Sequence, residues 1–179
     1  AEFAQMVRAR IPHARTVATE SLHLTLKFLG ETEEKAVPGI EVALSGIART
    51  CEIFEIRIEG AGHFPPRGRP RVVWAGVEPS HMVFTLHRKI DGSLEDAGFL
   101  SDTRFSGHVT VARLPDGAAL SCLDEIERQC AGRVWGTMDV NAIELIRSNL
   151  KPGGPEYITV KRFLLGGNHG QGQGAVACN

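Results

Sequence analysis

Residues 22–29 (Leu-His-Leu-Thr-Leu-Lys-Phe-Leu) alternate apolar and polar side chains. That period of two marks a β-strand with one face on a core and the other free for polar work. Within it, His23-Leu24-Thr25-Leu26 follows the pattern His–apolar–Thr–apolar, and the pattern returns 85 positions later as His108-Val109-Thr110-Val111. Chance supplies it only about 0.07 times in a chain of this His and Thr content. The fold must therefore supply two separate strands, each with a buried apolar face. Each carries an imidazole and a hydroxyl on its other face, roughly 6.5–7 Å apart.

The remaining periodicity sets the architecture. Residues 2–10 place Phe3, Met6 and Val7 on one helical face and read as the end of a helix. A strand is expected near 15–18. Pro38 suits the first turn of a helix running to about Ala48, with Ile40, Leu44 and Ile47 inward. Further strands are expected over 53–59, 71–78, 104–113, 134–140, 142–149 and 156–165. Helices are expected from Ser80 to about Ala97, with Gly98 as the stop, and over 119–131. The glycines and prolines of 60–70 read as a loop, 151–155 as a hairpin turn, and the Gly/Gln-rich 167–179 as a disordered tail after a single domain over 1–166. Helices interleaved with strands and closing hairpins give an α+β class with largely antiparallel sheets.

Composition narrows the function. A chain of 179 residues, 42% hydrophobic and 23% charged, is ordinary for a soluble globular protein. Its net charge of −1 argues against coating nucleic acid through bulk charge, but leaves room for a local basic site. No apolar run approaches the ~18 residues of a membrane span, so no membrane partner is expected. Cys51, Cys122, Cys130 and Cys178 form no Cys-x-x-Cys pair and read as free thiols of a cytoplasmic protein, expected to be a monomer. His81 and His87, six apart in an expected helix, do not share a face as a metal pair would. No phosphate-binding Gly loop or nucleophile elbow is present.

Two imidazoles, one protonated and one neutral, can deprotonate a nucleophile and protonate a leaving group. The Thr hydroxyls can donate to anionic oxygens. Opening a cyclic phosphodiester needs this set of groups and no metal or other cofactor. Residues 22–31 and 107–113 resemble the two signatures of the two-histidine phosphoesterase superfamily, and more closely its RNA 2',3'-cyclic phosphodiesterases, historically called 2'-5' RNA ligases. The likeness extends through Phe64-Pro65, Arg69-Pro70-Arg71-Val72-Val73-Trp74 and Ser148-Asn149-Leu150, over about residues 15–165.

The resemblance implies a bilobal, pseudo-symmetric α+β fold with antiparallel sheets, flanking helices and a central cleft. It implies His23 as general acid, His108 as general base, and Thr25, Thr110 and Arg113 as phosphate-binding groups. The implied partner is RNA ending in a 2',3'-cyclic phosphate, tRNA halves among the candidates. Simple alternation sets Arg113 on the face opposite His108, so a bulge is required to bring it round. Arg67 and Arg69 are candidate RNA contacts, as is Lys27, which by alternation shares the face of Thr25. Phe28 and Trp74 are read as core, and His63 as a surface residue. Alternative readings are a 2'-5' oligonucleotide phosphodiesterase and a non-catalytic RNA-end binding module.

Overall fold

The computed structural model describes residues 1–78, 80–102, 104–117, 120–151, 154–166 and 175–178. Its class is α+β, as expected. The elements are α1 (Glu2–Arg10), β1 (Arg15–Thr16), β2 (Leu24–Lys27), α2 (Val37–Thr50), β3 (Phe54–Phe64), β4 (Val72–Glu78), α3 (Ser80–Glu95), β5 (His108–Arg113), α4 (Leu120–Cys130), β6 (Val134–Val140), β7 (Ala142–Lys151), β8 (Gly154–Leu164) and β9 (Ala175–Cys178). The chain forms two compact units, the first of residues 1–23, 57–78 and 108–137, the second of 24–56, 79–107 and 138–179. The division falls inside the first His-x-Thr motif, between His23 and Leu24.

In the first unit, β3, β4 and β5 run side by side and antiparallel, and β1 adds to β5. One face of this sheet is apolar. Val73 and Ala75 of β4 and Val111 and Ala112 of β5 meet Phe3 and Val7 of α1 and Leu123 and Ile126 of α4 there. Phe3 stacks on Trp135 with ring centroids 4.6 Å apart. β3 is longer than its sequence pattern indicates. The register steps from Glu59↔Gly76 to Gly62↔Trp74, so β3 bulges at Gly60, whose φ of 65° suits glycine. Gly60 stays bonded through the bulge, its N–H to the Arg133 carbonyl at 2.9 Å and its carbonyl from Trp135 Nε1 at 2.7 Å. The loop read over 60–70 therefore shrinks to the residues after Phe64, and Arg71 N–H closes it on the Phe64 carbonyl at 2.7 Å.

In the second unit the strand order is β2-β9-β7-β8. α2 packs on α3, β7 and β8, and α3 on β2. Pro38 lies in the first turn of α2, and Ile40, Leu44 and Ile47 are buried, as the spacing predicts. Gly98, at φ 91°, ends α3, and Phe99 N–H reaches back to the Leu94 carbonyl at 3.0 Å. β7 and β8 form the expected hairpin, paired from Ala142↔Leu164 to Lys151↔Gly154; residues 152 and 153 of its expected turn lie outside the described residues. The expected disordered tail is corrected in part. Residues 167–174 and 179 lie outside the described residues, but Ala175–Cys178 form β9, parallel to both β2 and β7. Burial pushes the Cys178 thiol up to about 12, which removes its reactivity at neutral pH. Among the described residues no helix is long and apolar enough to cross a membrane.

Candidate active site

Both motif strands carry a bulge directly after the Thr. In β5 the pairing with β4 steps from Trp74↔Thr110 to Val73↔Ala112, which leaves Val111 as the extra residue. Val111 and Ala112 are both buried in the core of the first unit. The face of every later residue is inverted. Arg113 pairs with Val72, and so joins His108 and Thr110 on the face that carries Trp74. This is the turn of backbone that Arg113 needs to share a site with His108. His108 and Thr110 are half-buried there and Arg113 is exposed.

β2 repeats the device with the opposite consequence. Its pairing with β9 steps from Thr25↔Ala177 to Lys27↔Cys178, leaving Leu26 extra. Lys27 is thereby turned away from the face of Thr25 and is only 2% exposed. Its ammonium is ion-paired with Asp91 of α3 and donates to the Leu100 carbonyl at 2.7 Å. Asp91 also accepts from Ser101 Oγ at 2.7 Å and from the Asp102 N–H at 3.0 Å. Burial works to raise the Asp91 carboxyl, but these hydrogen bonds and the Lys27 charge outweigh it and hold the carboxyl at about 2. The expected RNA contact by Lys27 is corrected: its charge is used inside the second unit, tying β2 and the 100–102 segment to α3.

His23 precedes β2. A carbonyl oxygen only accepts, so the 2.8 Å contact of His23 Nδ1 with the Ser21 carbonyl puts the proton on Nδ1 and orients the ring. Thr25 follows, half-buried, in β2. The His108 ring is held by aromatic neighbours: Phe64 meets it edge-on at 5.0 Å, and Trp74 lies 6.0 Å away. Phe64 and Trp74 touch one another at 5.3 Å. Arg67 and Arg69 are exposed on the loop that leaves Phe64. Among the described residues no three His, Cys, Asp or Glu side chains gather as a metal site.

The profile of the "2'-5' RNA ligase superfamily" matches residues 1–152. The chain belongs to the 2'-5' RNA ligase superfamily. Among relatives, an Archaeoglobus fulgidus protein named RNA 2',3'-cyclic phosphodiesterase is 37% identical, with 83% of this chain and 82% of the relative covered. A Thermus thermophilus protein of the same name is 33% identical over 93% and 88%. A crystal structure from Thermus thermophilus superposes with a TM-score of 0.72 at 29% identity, covering 94% of this chain and 93% of its own. Escherichia coli LigT, crystallised with 3'-AMP, shares the fold at a TM-score of 0.67 and 24% identity, covering 92% and 91%.

Three sequence expectations for this superfamily member are corrected around the site. Phe28 is not core: it lies just beyond the short β2 and is 71% exposed. His63 is not a surface residue: it belongs to β3, faces α4, and contacts Glu127 through Nδ1 at 2.6 Å. Trp74 is not core either. It stands on the His108 face, half-buried, with its indole flat against Gly62 and near Gly76. The signal that would have found it is the glycine opposite in register, because an indole lies flat on a sheet only where no Cβ rises beneath it.

That close approach gives a test. A Cβ at Gly62 would sit 2.6 Å from Trp74 Cε2 and closer still to Cζ2. Gly62→Ala is expected to push the indole off its seat and away from His108, destabilising the protein by about 1–3 kcal/mol. Thermal melts and a change in the emission of Trp74, one of two tryptophans, are the measurements; an unaltered melt and spectrum would show that the indole is not held there.

Proposed function

We propose that the chain hydrolyses 2',3'-cyclic phosphate ends of RNA to 2'-phosphomonoesters, with His108 as general base and His23 as general acid. His108 takes a proton from water as the water oxygen bonds to phosphorus. The bond from phosphorus to the 3'-oxygen breaks, and His23 Nε2 hands that oxygen a proton. The 2'-ester bond survives, so a 2'-phosphate remains. Thr25 and Thr110 donate to the non-bridging oxygens, and Arg113 offsets the charge that grows on them. With an RNA 5'-hydroxyl in place of water, the same ring opening, in which the 3'-oxygen again leaves, makes a 2'-5' linkage, and the reverse of that step would regenerate the cyclic phosphate. The two rings must then approach within about 8 Å around one phosphate. Candidate substrates are tRNA halves in the cytoplasm.

The observation that carries this reading is the bulge at Val111, which sets an imidazole, a hydroxyl and a guanidinium on one face of β5. A module that only binds RNA ends has no need of an imidazole held by two aromatic rings beside the phosphate donors. The relatives named RNA 2',3'-cyclic phosphodiesterase support the substrate. The test is incubation of the pure protein with an oligonucleotide 2',3'-cyclic phosphate in EDTA, followed by identification of the end group. A 2'-phosphate is expected. A 3'-phosphate would reverse the assigned leaving group, and absence of turnover would favour the binding module.

A further inference from the structure

The first unit contains a cavity of about 530 Å³ lined by His13, Arg15, Arg71, Arg113 and Asp116, with Leu114 at its apolar wall. Its arginines come from three neighbouring stretches of chain. Arg15 of β1 lies directly opposite Arg113 of β5 in the antiparallel register. Arg71 stands at the entrance to β4, and its carbonyl accepts the Leu114 N–H at 2.8 Å. Like charges directly opposite on paired strands destabilise a sheet. The lining residues carry three guanidiniums and one carboxylate, Asp116, which is ion-paired with Arg71. Arg15 has no ion-pair partner among the described residues. The lining is thus basic in a chain whose net charge is −1.

Arg113 joins this cavity to the candidate active site. It shares the face of His108 and Thr110, and its side chain lines the cavity. Three strand steps, with Val111 and Ala112 between, lead from Thr110 to Arg113, about 10 Å before the bulge shortens it. We infer that the cavity binds the phosphodiester next to the reacting one, so that the substrate is an RNA strand of at least two nucleotides rather than a cyclic mononucleotide. The inference rests on the phosphodiesterase reading for which phosphate reacts, but the cavity's affinity for a second phosphate can be measured without turnover.

Calorimetric titration with adenosine 2'-monophosphate and with a trinucleotide ending in a 2'-phosphate gives that measurement. The trinucleotide is expected to bind at least about tenfold more tightly, as one charge-assisted phosphate contact allows. Its affinity should fall more steeply with salt. Arg15→Gln is expected to weaken the trinucleotide about tenfold and lower its salt slope by about one, with the mononucleotide unchanged. Arg15→Lys, which keeps the charge, should hold most of the affinity. Equal binding of the two ligands by the parent protein, or equal weakening of both by Arg15→Gln, would overturn the inference. Turnover of an oligonucleotide 2',3'-cyclic phosphate is scored separately. Length-dependent binding without turnover leaves the cavity assigned and sinks the phosphodiesterase reading. Turnover without length dependence does the reverse.

Discussion

Replacing His23 by Ala is expected to slow opening of an RNA cyclic phosphate by about 10²–10⁴, and replacing His108 by Ala to do the same. Neither imidazole lies in the apolar core, so both variants should melt near the parent protein. The two losses differ in kind. His23→Ala lacks the proton donor for the 3'-oxygen, so a diester with a nitrophenolate leaving group, which needs no proton, should recover much of the rate. His108→Ala lacks the group that activates water and should stay slow on both substrates. Parent turnover should be bell-shaped in pH, because one ring must be protonated while the other is not. Equal loss on both substrates in His23→Ala would mean that the acid is misassigned.

Lys27→Met is expected to destabilise the protein by about 3–5 kcal/mol, because it strands the Asp91 carboxylate in a buried setting without its counter-charge. For a chain of this size that lowers the melting temperature by roughly 10 °C. The double variant Lys27→Met/Asp91→Leu should recover much of the loss, since no buried charge is left alone. pH gives a second reading. Asp91 is held at about 2 against an ordinary 3.8, so it favours the folded state when ionised. Its contribution of roughly 2.5 kcal/mol is complete above about pH 5 and fades as pH falls through 3.8 towards 2. The gap between parent and Lys27→Met in urea melts should therefore narrow over that range. A gap that stays constant would place the cost of Lys27→Met in packing rather than in charge.

The motifs and the class of fold can be read from alternation alone, because buried strand faces demand it. The faces beyond each Thr cannot. Leu-Thr-Leu-Lys-Phe runs on as an unbroken period of two, and nothing in it marks Leu26 as a bulge. The bulge arises from the pairing of β2 with β9, a strand assigned by tertiary packing to four residues within a Gly/Gln-rich stretch. Hence alternation places Lys27 outward and Phe28 inward, and the fold reverses both. Arg113 is legible only as a requirement: if it serves the site, β5 must bulge. His63 and Trp74 are hidden for another reason. The glycines around them signal a loop, whereas here they permit a bulge at Gly60 and a flat indole over Gly62.

The insertion of β9 between β2 and β7 also dictates an order of events. Leu24 pairs with Val176, 152 positions further on, while β7 and β8 meet through a short hairpin. Closing a loop that long fixes far more chain than closing a hairpin, and its conformational entropy must be lost before any strand pairing compensates. β2, the strand that carries Thr25, therefore gains β9 beside it only after every earlier strand of the molecule has left the ribosome. Until then the edge that β9 covers is open to pairing with another chain. A chain stalled short of residue 175 would hold every residue assigned to the chemistry and still leave Thr25 on an unfinished sheet.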